Sequence, residues 1–310
     1  RCRIVGAVDM PAHVSAVLAG CRACCLVAKA GDASATRRPI DPRQRSSAST
    51  HYGAGMDTTA RIALRALAAL DLTSLNEGDT PEDIAALCAR ARTPYGAAAA
   101  VCVYPEHVST ARRVLMGAGA PVRVATVVNF PDGSADPARA ERETRRAIAA
   151  GADEIDVVFP WRALIAGDAA VGARVVSDCK AALPAGASLK VILETGELKD
   201  AGLIRRASDI ALAHGADFLK TSTGKVPVNA TPEVARVMLQ AILDAKSGCG
   251  LKVAGGVRRV ADAAVYFDLA DATMGADWAT PARFRIGASG LLDDVLAVLS
   301  GTTAAPGSGY

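Results

Sequence analysis

The sequence has few aromatic residues and no long apolar segment. Phe, Trp and Tyr make up 4% of its 310 residues, whereas hydrophobic residues of all kinds make up 51%. This composition is not that of a disordered chain, and it suits one large core of aliphatic side chains. No run of about 18 uninterrupted apolar residues occurs, because Arg22 and Lys29 break the one candidate near the N-terminus. We therefore expect no membrane partner and no secretory signal.

Closely spaced metal ligands are also absent from the sequence. The four histidines are scattered, and Cys21-x-x-Cys24-Cys25 is not followed by a second pair of Cys or His residues at ligand spacing. We therefore expect neither a metal site nor a cofactor. The eight cysteines lack the spacing of a small disulfide-bonded domain, which favours a reducing, cytoplasmic location. Cys102 lies in an apolar run and is interpreted as a core residue rather than a nucleophile.

Charge is distributed unevenly along the chain. The net charge is +3, and residues 1–55 contain eight Lys or Arg against three Asp or Glu, so the remainder is nearly neutral and no nucleic-acid partner is expected. Residues 1–55 lack clear periodicity and end in an Arg- and Ser-rich stretch. We interpret them as an irregular extension outside the native protein, with Met56 as its natural start. Residues 56–310 should form one domain that ends in a flexible tail, residues 301–310.

Eight short β-rich runs alternate with helical segments. They lie at residues 100–104, 122–128, 154–159, 189–194, 217–222, 251–255, 272–276 and 285–289. Helix starts are indicated where an N-cap residue precedes proline, at Thr80, Asp136 and Thr231, and Gly151 and Gly215 are placed to end helices. Eight such repeats within about 250 residues are typical of the α/β class and its (β/α)8 TIM barrel. A doubly wound sheet is the alternative, because the number of strands does not prove closure.

Two lysines each precede a glycine-rich turn, Lys220 in the fifth predicted strand and Lys252 in the sixth. Active sites of this fold lie at the C-terminal ends of the strands. A lysine amine attacks a carbonyl only when it is neutral, although its ordinary pKa is about 10.4. A second ammonium about 4 Å away would lower that pKa by roughly three units. We therefore predict that these lysines form a catalytic pair.

Asp156 is the predicted carboxylate partner of the two lysines. Strand alternation places it on the inward face of EIDVVF, where it would stay ionised and either relay protons or hold Lys252 in place. A purely structural polar residue is the alternative. Lys190 is a competing nucleophile, but it begins its strand instead of ending it. We therefore predict a structural role for Lys190, with Glu194 on the same face as its partner.

Three glycine-bearing turns follow the fifth, sixth and eighth predicted strands. They contain Gly224-Lys225, Gly255-Gly256-Val257-Arg258 and Gly287-Ala288-Ser289-Gly290. Glycines let a phosphate approach backbone N–H groups, and Lys225 and Arg258 can neutralise its charge. Any one of these turns is explained equally well as an ordinary connection between a strand and a helix. Together, at one end of a barrel, they indicate a phosphorylated ligand.

From Met56 onward, the sequence resembles the deoxyribose-phosphate aldolases, class I aldolases with a (β/α)8 barrel. The resemblance is carried by LDLTSLN (70–76), VCVYP (101–105), TVVNFPDG (126–133), GADEIDVVFPWRAL (151–164), KVILETGEL (190–198), GADFLKTSTGK (215–225), KVAGGVR (252–258), MGADWA (274–279) and RIGASGLL (285–292). It implies reversible cleavage of 2-deoxy-D-ribose 5-phosphate through a lysine Schiff base, with this phosphosugar as the small-molecule partner. The oligomeric state is left open, and a homodimer is one assembly consistent with the sequence.

The same resemblance implies the roles of individual residues. Lys220 corresponds to the Schiff-base lysine, Lys252 to the second lysine and Asp156 to the proton-relay aspartate. Tyr310 corresponds to a C-terminal tyrosine that assists proton transfer in bacterial members. The substrate- and phosphate-binding positions are Asp71, Thr223, Gly224, Lys225, Gly255, Gly256, Val257, Arg258, Gly287 and Ser289.

Two positions depart from the family pattern, since Gly290 stands where a serine is common and Val253 where many members have proline. Two rival functions also fit the residues. One is a Schiff-base aldolase that acts on another phosphosugar, and the other is a non-catalytic phosphosugar-binding barrel. The binding barrel is disfavoured, because it would have no use for two lysines that are costly to bury together.

Overall fold

Eight parallel β-strands close into a barrel in the computed structural model of this chain, which describes residues 57–117 and 121–302. The strands are β1 (Leu70–Thr73), β2 (Ala100–Val103), β3 (Arg123–Val128), β4 (Glu154–Val158), β5 (Ser188–Ile192), β6 (Phe218–Lys220), β7 (Gly250–Ala254) and β8 (Phe284–Ala288). Each strand pairs with its neighbours in the chain order, and β1 pairs with both β2 and β8 to close the ring. Closure confirms the (β/α)8 TIM barrel and excludes the doubly wound sheet.

Helices occupy the connections between the strands. They are α1 (Thr58–Ala68), α2 (Pro81–Arg90), α3 (Val108–Leu115), α4 (Pro137–Ala149), α5 (Trp161–Ile165), α6 (Ala169–Ala181), α7 (Thr195–Leu198), α8 (Ala201–Ala213), α9 (Pro232–Asp244), α10 (Val260–Met274) and α11 (Leu291–Ser300). A 3-10 helix (Pro105–His107) precedes α3, and a short antiparallel ribbon pairs Arg92–Thr93 with Gly96–Ala97.

The predicted helix boundaries are confirmed. The side chains of Thr80, Asp136 and Thr231 accept hydrogen bonds from the backbone N–H three residues ahead, at 3.2, 3.0 and 3.4 Å. Gly151 and Gly215 follow α4 and α8 with φ angles of 105° and 95°. Glycine adopts such a backbone with little steric cost, so both helices end where the sequence predicts.

One predicted strand is wrong, and one strand is missing from the prediction. Residues 272–276 are not a strand, because α10 continues to Met274. No strand is predicted over residues 70–73, yet β1 lies there, one residue after α1. A short apolar run cannot be assigned to a strand or a buried helix by periodicity alone. Lys220 and Lys252 therefore lie on the sixth and seventh barrel strands instead of the fifth and sixth.

The main core lies between the barrel and the surrounding helices, and the alternation of strand residues separates it from the barrel interior. In β4, Ile155 and Val157 belong to this aliphatic core. Glu154 and Asp156, on the opposite face, are equally buried but are charged. The barrel interior therefore contains ionisable groups that need partners within it.

No helix within residues 57–117 or 121–302 is long and apolar enough to cross a membrane. The predicted irregular extension 1–55, the predicted start at Met56 and the predicted catalytic Tyr310 lie outside the described residues.

Candidate active site

Three lysines from three successive strands point into the barrel. Lys190 lies within β5, Lys220 ends β6 and Lys252 lies within β7. The strand register pairs Lys220 directly with Lys252, so their side chains leave neighbouring strands on the same face. Only 3% of the Lys220 surface is exposed, and the other two are fully buried. Because lysine is rarely buried without a partner, the groups that these amines contact determine their chemistry.

Asp156 contacts all three amines. Its Oδ2 accepts hydrogen bonds of 2.8 Å from both Lys220 Nζ and Lys252 Nζ, and its Oδ1 accepts one of 2.7 Å from Lys190 Nζ. Because Lys220 and Lys252 share one acceptor atom, their nitrogens are at most twice 2.8 Å apart. The predicted close approach of these two lysines beside an inward-facing Asp156 is confirmed.

Two further carboxylates and one arginine extend this group. Asp71 accepts hydrogen bonds from Lys252 Nζ at 2.5 Å and from Arg285 Nη1 at 2.6 Å. Glu154 accepts one from Arg285 Nη2 at 2.9 Å and lies 2.6 Å from Lys190 Nζ. We call this set the buried charge cluster. Its basic members are Lys190, Lys220, Lys252 and Arg285, and its acidic members are Asp71, Glu154 and Asp156.

Charge balance within the cluster distinguishes Lys220 from the other lysines. Four basic groups and three carboxylates leave one excess positive charge, and loss of a proton from one lysine removes it. Burial lowers the pKa of Lys220; Asp156 opposes this, and Lys252 lowers the pKa further. Burial also disfavours the charged form of Lys252, but Asp156 and Asp71 raise its pKa above the ordinary range. Lys220 is therefore the amine that can be neutral while Lys252 stays charged. Burial lowers the pKa of Lys220 more than the neighbouring Lys252 cation does.

The same contacts keep Asp156 ionised. Burial alone would raise its pKa, but Lys190, Lys220 and Lys252 hold the pKa of Asp156 well below its usual range. A carboxylate in this state accepts hydrogen bonds and does not store a proton.

Lys190 belongs to the cluster as a charged member. Burial opposes its charge, but the three carboxylates raise the pKa of Lys190, so it is unsuited to nucleophilic attack. This agrees with the structural role that the sequence predicts. Its predicted partner is wrong, however. Glu194 follows β5 with a φ of 56° and accepts hydrogen bonds from Thr223, while Asp156 and Glu154 bind Lys190.

A cavity of about 250 Å³ has Lys220 in its wall. Nine of the ten predicted substrate- and phosphate-binding residues also line it: Thr223, Gly224, Lys225, Gly255, Gly256, Val257, Arg258, Gly287 and Ser289. The tenth, Asp71, is fully buried and contacts Lys252 instead. Among the described members of the charge cluster, Lys220 alone lines this cavity. The structure thus brings the candidate nucleophile and the candidate phosphate loops to one site.

The glycines of this site serve two purposes. Gly224, Gly255 and Gly256 have φ angles of 84°, 81° and 89°, which side-chain-bearing residues rarely adopt. Gly287 is different, because it lies within β8 rather than in the predicted turn. A Cβ at Gly287 would lie 3.0 Å from Lys252 Cε. The absence of a side chain there leaves room for Lys252.

Arg285 and Glu154 are the two members of the cluster for which the sequence analysis made no prediction, and Arg285 carries the clearer sequence signal. It lies between two apolar residues in a fully buried strand and alternates with Gly287, a pattern that could have indicated an inward-facing charge. Its acceptors, Glu154 and Asp71, are 131 and 214 residues away in the sequence, so only the closed barrel identifies them. Arg123, whose side chain is 40% exposed, also approaches Glu154, at 3.1 Å.

Comparison with known proteins covers most of the barrel. Residues 65–294 match the family described as DeoC/LacD family aldolase. The chain is 54% identical over 245 residues to a protein of Agrobacterium fabrum (strain C58) named deoxyribose-phosphate aldolase. That match covers 79% of this chain and 94% of the relative.

Solved structures agree with this comparison. A Toxoplasma gondii ME49 protein, proposed to be a deoxyribose-phosphate aldolase, is 27% identical with a TM-score of 0.71, covering 78% of this chain and 95% of its own. The deoxyribose phosphate aldolase of Aeropyrum pernix, which is described as tetrameric, is 25% identical with a TM-score of 0.60, covering 79% and 98%. Both resemble the barrel described above along nearly their whole length.

Proposed function

This chain belongs to the DeoC/LacD family of aldolases, and from that membership we propose that it reversibly cleaves 2-deoxy-D-ribose 5-phosphate into D-glyceraldehyde 3-phosphate and acetaldehyde. The observation that carries the proposal is the placement of Lys220. This lysine lines the cavity together with the glycine-bearing loops, and its pKa is lowered by burial and by Lys252. The A. fabrum relative, which bears the corresponding name, supports the choice of substrate.

Lys220 Nζ is the proposed nucleophile. Its neutral amine attacks C1 of the aldehyde to form a C–N bond, and loss of water from the resulting carbinolamine leaves an iminium ion. The positive nitrogen then accepts the electron pair of the C2–C3 bond as that bond breaks. The C3 hydroxyl gives up its proton to the Asp156 carboxylate at the same time and becomes the aldehyde of D-glyceraldehyde 3-phosphate. Protonation of the remaining enamine and hydrolysis release acetaldehyde and restore Lys220.

Asp156 and Lys252 are the proposed carriers of protons in these steps. Oδ2 of Asp156 connects the nucleophile to the Lys252 ammonium through two hydrogen bonds of 2.8 Å. Because Asp156 is held ionised, it passes a proton on rather than storing it. The Lys252 ammonium, which its raised pKa keeps charged, takes part by donating a hydrogen bond to Oδ2 of Asp156. The proposal that Tyr310 assists proton transfer rests on the family resemblance, since that residue lies outside the described part of the chain.

The glycine-bearing loops are the proposed phosphate site. Three of their glycines combine a positive φ with a position in the cavity wall, where backbone N–H groups can meet an anion. Arg258 supplies positive charge in the same wall. Lys225 also lines the cavity, and one of its three N–H donors is committed to the carbonyl of Leu75 at 2.7 Å.

A homo-oligomer in the cytoplasm is the proposed setting. The A. pernix relative is described as tetrameric, and a homodimer is the smallest assembly of this kind. The four cysteines within the described residues are free and buried, as is usual for a protein of a reducing compartment.

Borohydride reduction in the presence of acetaldehyde tests the proposed chemistry. Wild-type protein should gain one ethyl group, and peptide mapping should locate it on Lys220. Lys220→Leu should gain no ethyl group and should lose aldol cleavage. Lys246→Leu, which removes an exposed lysine, is the matched control and should behave as wild type.

Other outcomes would identify the rival functions. An adduct on Lys190 or Lys252 would contradict the choice of nucleophile. Unmodified protein that still binds 2-deoxy-D-ribose 5-phosphate would be a non-catalytic binding barrel. Trapping without cleavage of this substrate would indicate a Schiff-base aldolase for another phosphosugar, which a panel of aldehydes would identify. Activity that EDTA abolishes and zinc restores would require a metal-dependent reaction.

A further inference from the structure

Glu194 is a buried acid that the proposed mechanism does not use. Its residue surface is 1% exposed, and its backbone adopts a left-handed conformation, with φ of 56° and ψ of 58°. Hydrogen bonds from Leu193 N to Lys220 O at 2.9 Å and from Thr195 N to Thr221 O at 3.0 Å hold this segment against the end of β6. Glu194 is thus placed beside the nucleophile in a conformation that costs energy for a residue other than glycine, which is a common property of functional positions.

The carboxylate of Glu194 is directed at Thr223. Its Oε1 accepts a hydrogen bond from Thr223 N at 3.2 Å, and its Oε2 accepts one from Thr223 Oγ1 at 2.5 Å. Burial raises the pKa of Glu194, and the two hydrogen bonds from Thr223 and the charge of Lys220 oppose that rise. Among the described residues, no hydrogen bond from a basic side chain to this carboxylate is found.

The hydrogen bonds of the Thr223 hydroxyl can be counted. A hydroxyl has one donor and two acceptor positions. The donor is committed to Glu194, and one acceptor position receives the backbone N–H of Lys225 at 3.0 Å. One acceptor position is left, and Thr223 lines the cavity that contains Lys220. The hydroxyl can therefore accept a hydrogen bond from a ligand but cannot donate one.

We propose that Glu194 is a positioning residue that orients the Thr223 hydroxyl as a hydrogen-bond acceptor, so that the site selects aldehydes carrying a hydroxyl group next to the carbonyl carbon. This inference rests on the proposed function. Thr223 lies three residues beyond Lys220 and immediately before Gly224, so it stands between the nucleophile and one of the glycine-bearing loops. In a three-carbon phosphorylated aldehyde, the carbonyl carbon would face Lys220 and the phosphate would lie in the glycine-bearing loops. The middle carbon, which carries the hydroxyl, would then lie near Thr223.

Glu194→Gln reverses the direction of this hydrogen bond with little change of shape. The backbone N–H of Thr223 needs an acceptor, so the amide oxygen must take the place of Oε1 and the NH2 group that of Oε2. The NH2 group then donates to Thr223 Oγ1 and occupies its last acceptor position. The hydroxyl hydrogen is released toward the cavity, so Thr223 can no longer accept the proton of a substrate hydroxyl, which would have to rotate and accept from Thr223 instead.

Two aldehydes that differ by that hydroxyl provide the test. Condensation with acetaldehyde is measured for D-glyceraldehyde 3-phosphate and for 3-oxopropyl phosphate, which lacks the hydroxyl. In Glu194→Gln, kcat/KM for the hydroxylated aldehyde should fall about tenfold, because the substrate hydroxyl loses the acceptor for its proton. The value for 3-oxopropyl phosphate should change by less than about twofold, and borohydride trapping on Lys220 should be retained.

Glu197→Gln is the matched control. It removes the same charge three residues away, from a partly exposed position in α7, and should leave the ratio of the two kcat/KM values as in wild type. Thr223→Val removes the hydroxyl itself and should lose selectivity to the same degree. The double variant should lose no more selectivity than either single variant, because the two substitutions remove the same interaction.

Several results would overturn the inference. Equal losses for both aldehydes in Glu194→Gln would indicate a merely structural role. Unchanged selectivity in Thr223→Val would contradict the inference even if Glu194→Gln failed to fold, which thermal unfolding would reveal. Wild-type protein that condenses neither aldehyde would overturn the proposed function and this inference with it, whereas an active wild type with a negative result in the variants would overturn only the inference.

Discussion

Replacing Lys252 with methionine should raise the pKa of Lys220 and shift the acidic limb of the pH–rate profile upward. The ammonium of Lys252 disfavours a second positive charge on Lys220, with which it shares Asp156 Oδ2. Its removal makes protonation of Lys220 easier. Asp156 then acts on fewer cations and should raise the pKa of Lys220 further. Methionine has a similar length and leaves Asp71 paired with Arg285.

The geometry sets the size of this shift. The two nitrogens are separated by at most twice 2.8 Å. At an effective dielectric constant of about 20, two unit charges at that separation repel by roughly 3 kcal/mol. This energy corresponds to about two pKa units, so the acidic limb should move up by about two pH units. At a pH where Lys220 is mostly protonated in both proteins, kcat/KM should fall about 100-fold.

The assay is the release of acetaldehyde from 2-deoxy-D-ribose 5-phosphate between pH 5 and pH 10, with the rate of borohydride trapping measured in parallel. Trapping depends on the neutral amine of Lys220 and not on later proton transfers, so it isolates the electrostatic effect. Lys246→Met, at an exposed lysine, should leave both profiles unchanged. A Lys252→Met profile with an unmoved acidic limb and a uniform loss of rate would refute the electrostatic reasoning and leave Lys252 only a role in proton transfer.

Two other substitutions test how neighbouring residues hold the buried charge cluster in place. Gly287→Ala places a methyl group 3.0 Å from Lys252 Cε. It should lower kcat/KM about tenfold or more and destabilise the fold by about 1–3 kcal/mol, as measured by urea unfolding. An unchanged kcat/KM would show that Lys252 tolerates displacement. Arg285→Met leaves Asp71 and Glu154 without one of their cations and should cost about 3–5 kcal/mol of unfolding free energy. The control Arg205→Met breaks only surface ion pairs and should cost less than about 1 kcal/mol of unfolding free energy. Equal losses of unfolding free energy in Arg285→Met and Arg205→Met would contradict the claim that burial makes the difference.

Features whose determinants lie within a few residues were predictable from the sequence. An N-cap at Thr80, Asp136 or Thr231 depends on a backbone N–H three residues ahead, and Gly151 and Gly215 depend on their own φ angles. Strand alternation likewise placed the candidate catalytic side chains inside the barrel. The segments that resemble the aldolase family are short and continuous, so the family and the candidate nucleophile also followed from sequence.

Local patterns failed where the deciding contact lies elsewhere. β1 is four residues long and follows a helix after one residue, so its strand character comes from pairing with β2 and β8. Glu194 has the correct strand spacing to face Lys190, but the chain turns into a left-handed conformation there and carries it to Thr223. The contribution of Arg285 depends on two carboxylates from distant strands.

The residue types and their spacing were enough to indicate a paired-lysine aldehyde chemistry on a barrel, because attack by an amine requires a nearby means of keeping it neutral. The charges that lower the pKa of one buried lysine and raise that of the other two were decided only by the closed barrel. It brings Asp71, Glu154 and Asp156 from β1 and β4 to within hydrogen-bond distance of the lysines, and these carboxylates raise the pKa of Lys190 and Lys252 while that of Lys220 falls. Arg285 from β8 pairs with Asp71 and Glu154. A pKa in a buried cluster is set by all neighbouring charges at once, and those neighbours are separated by up to 214 residues of chain.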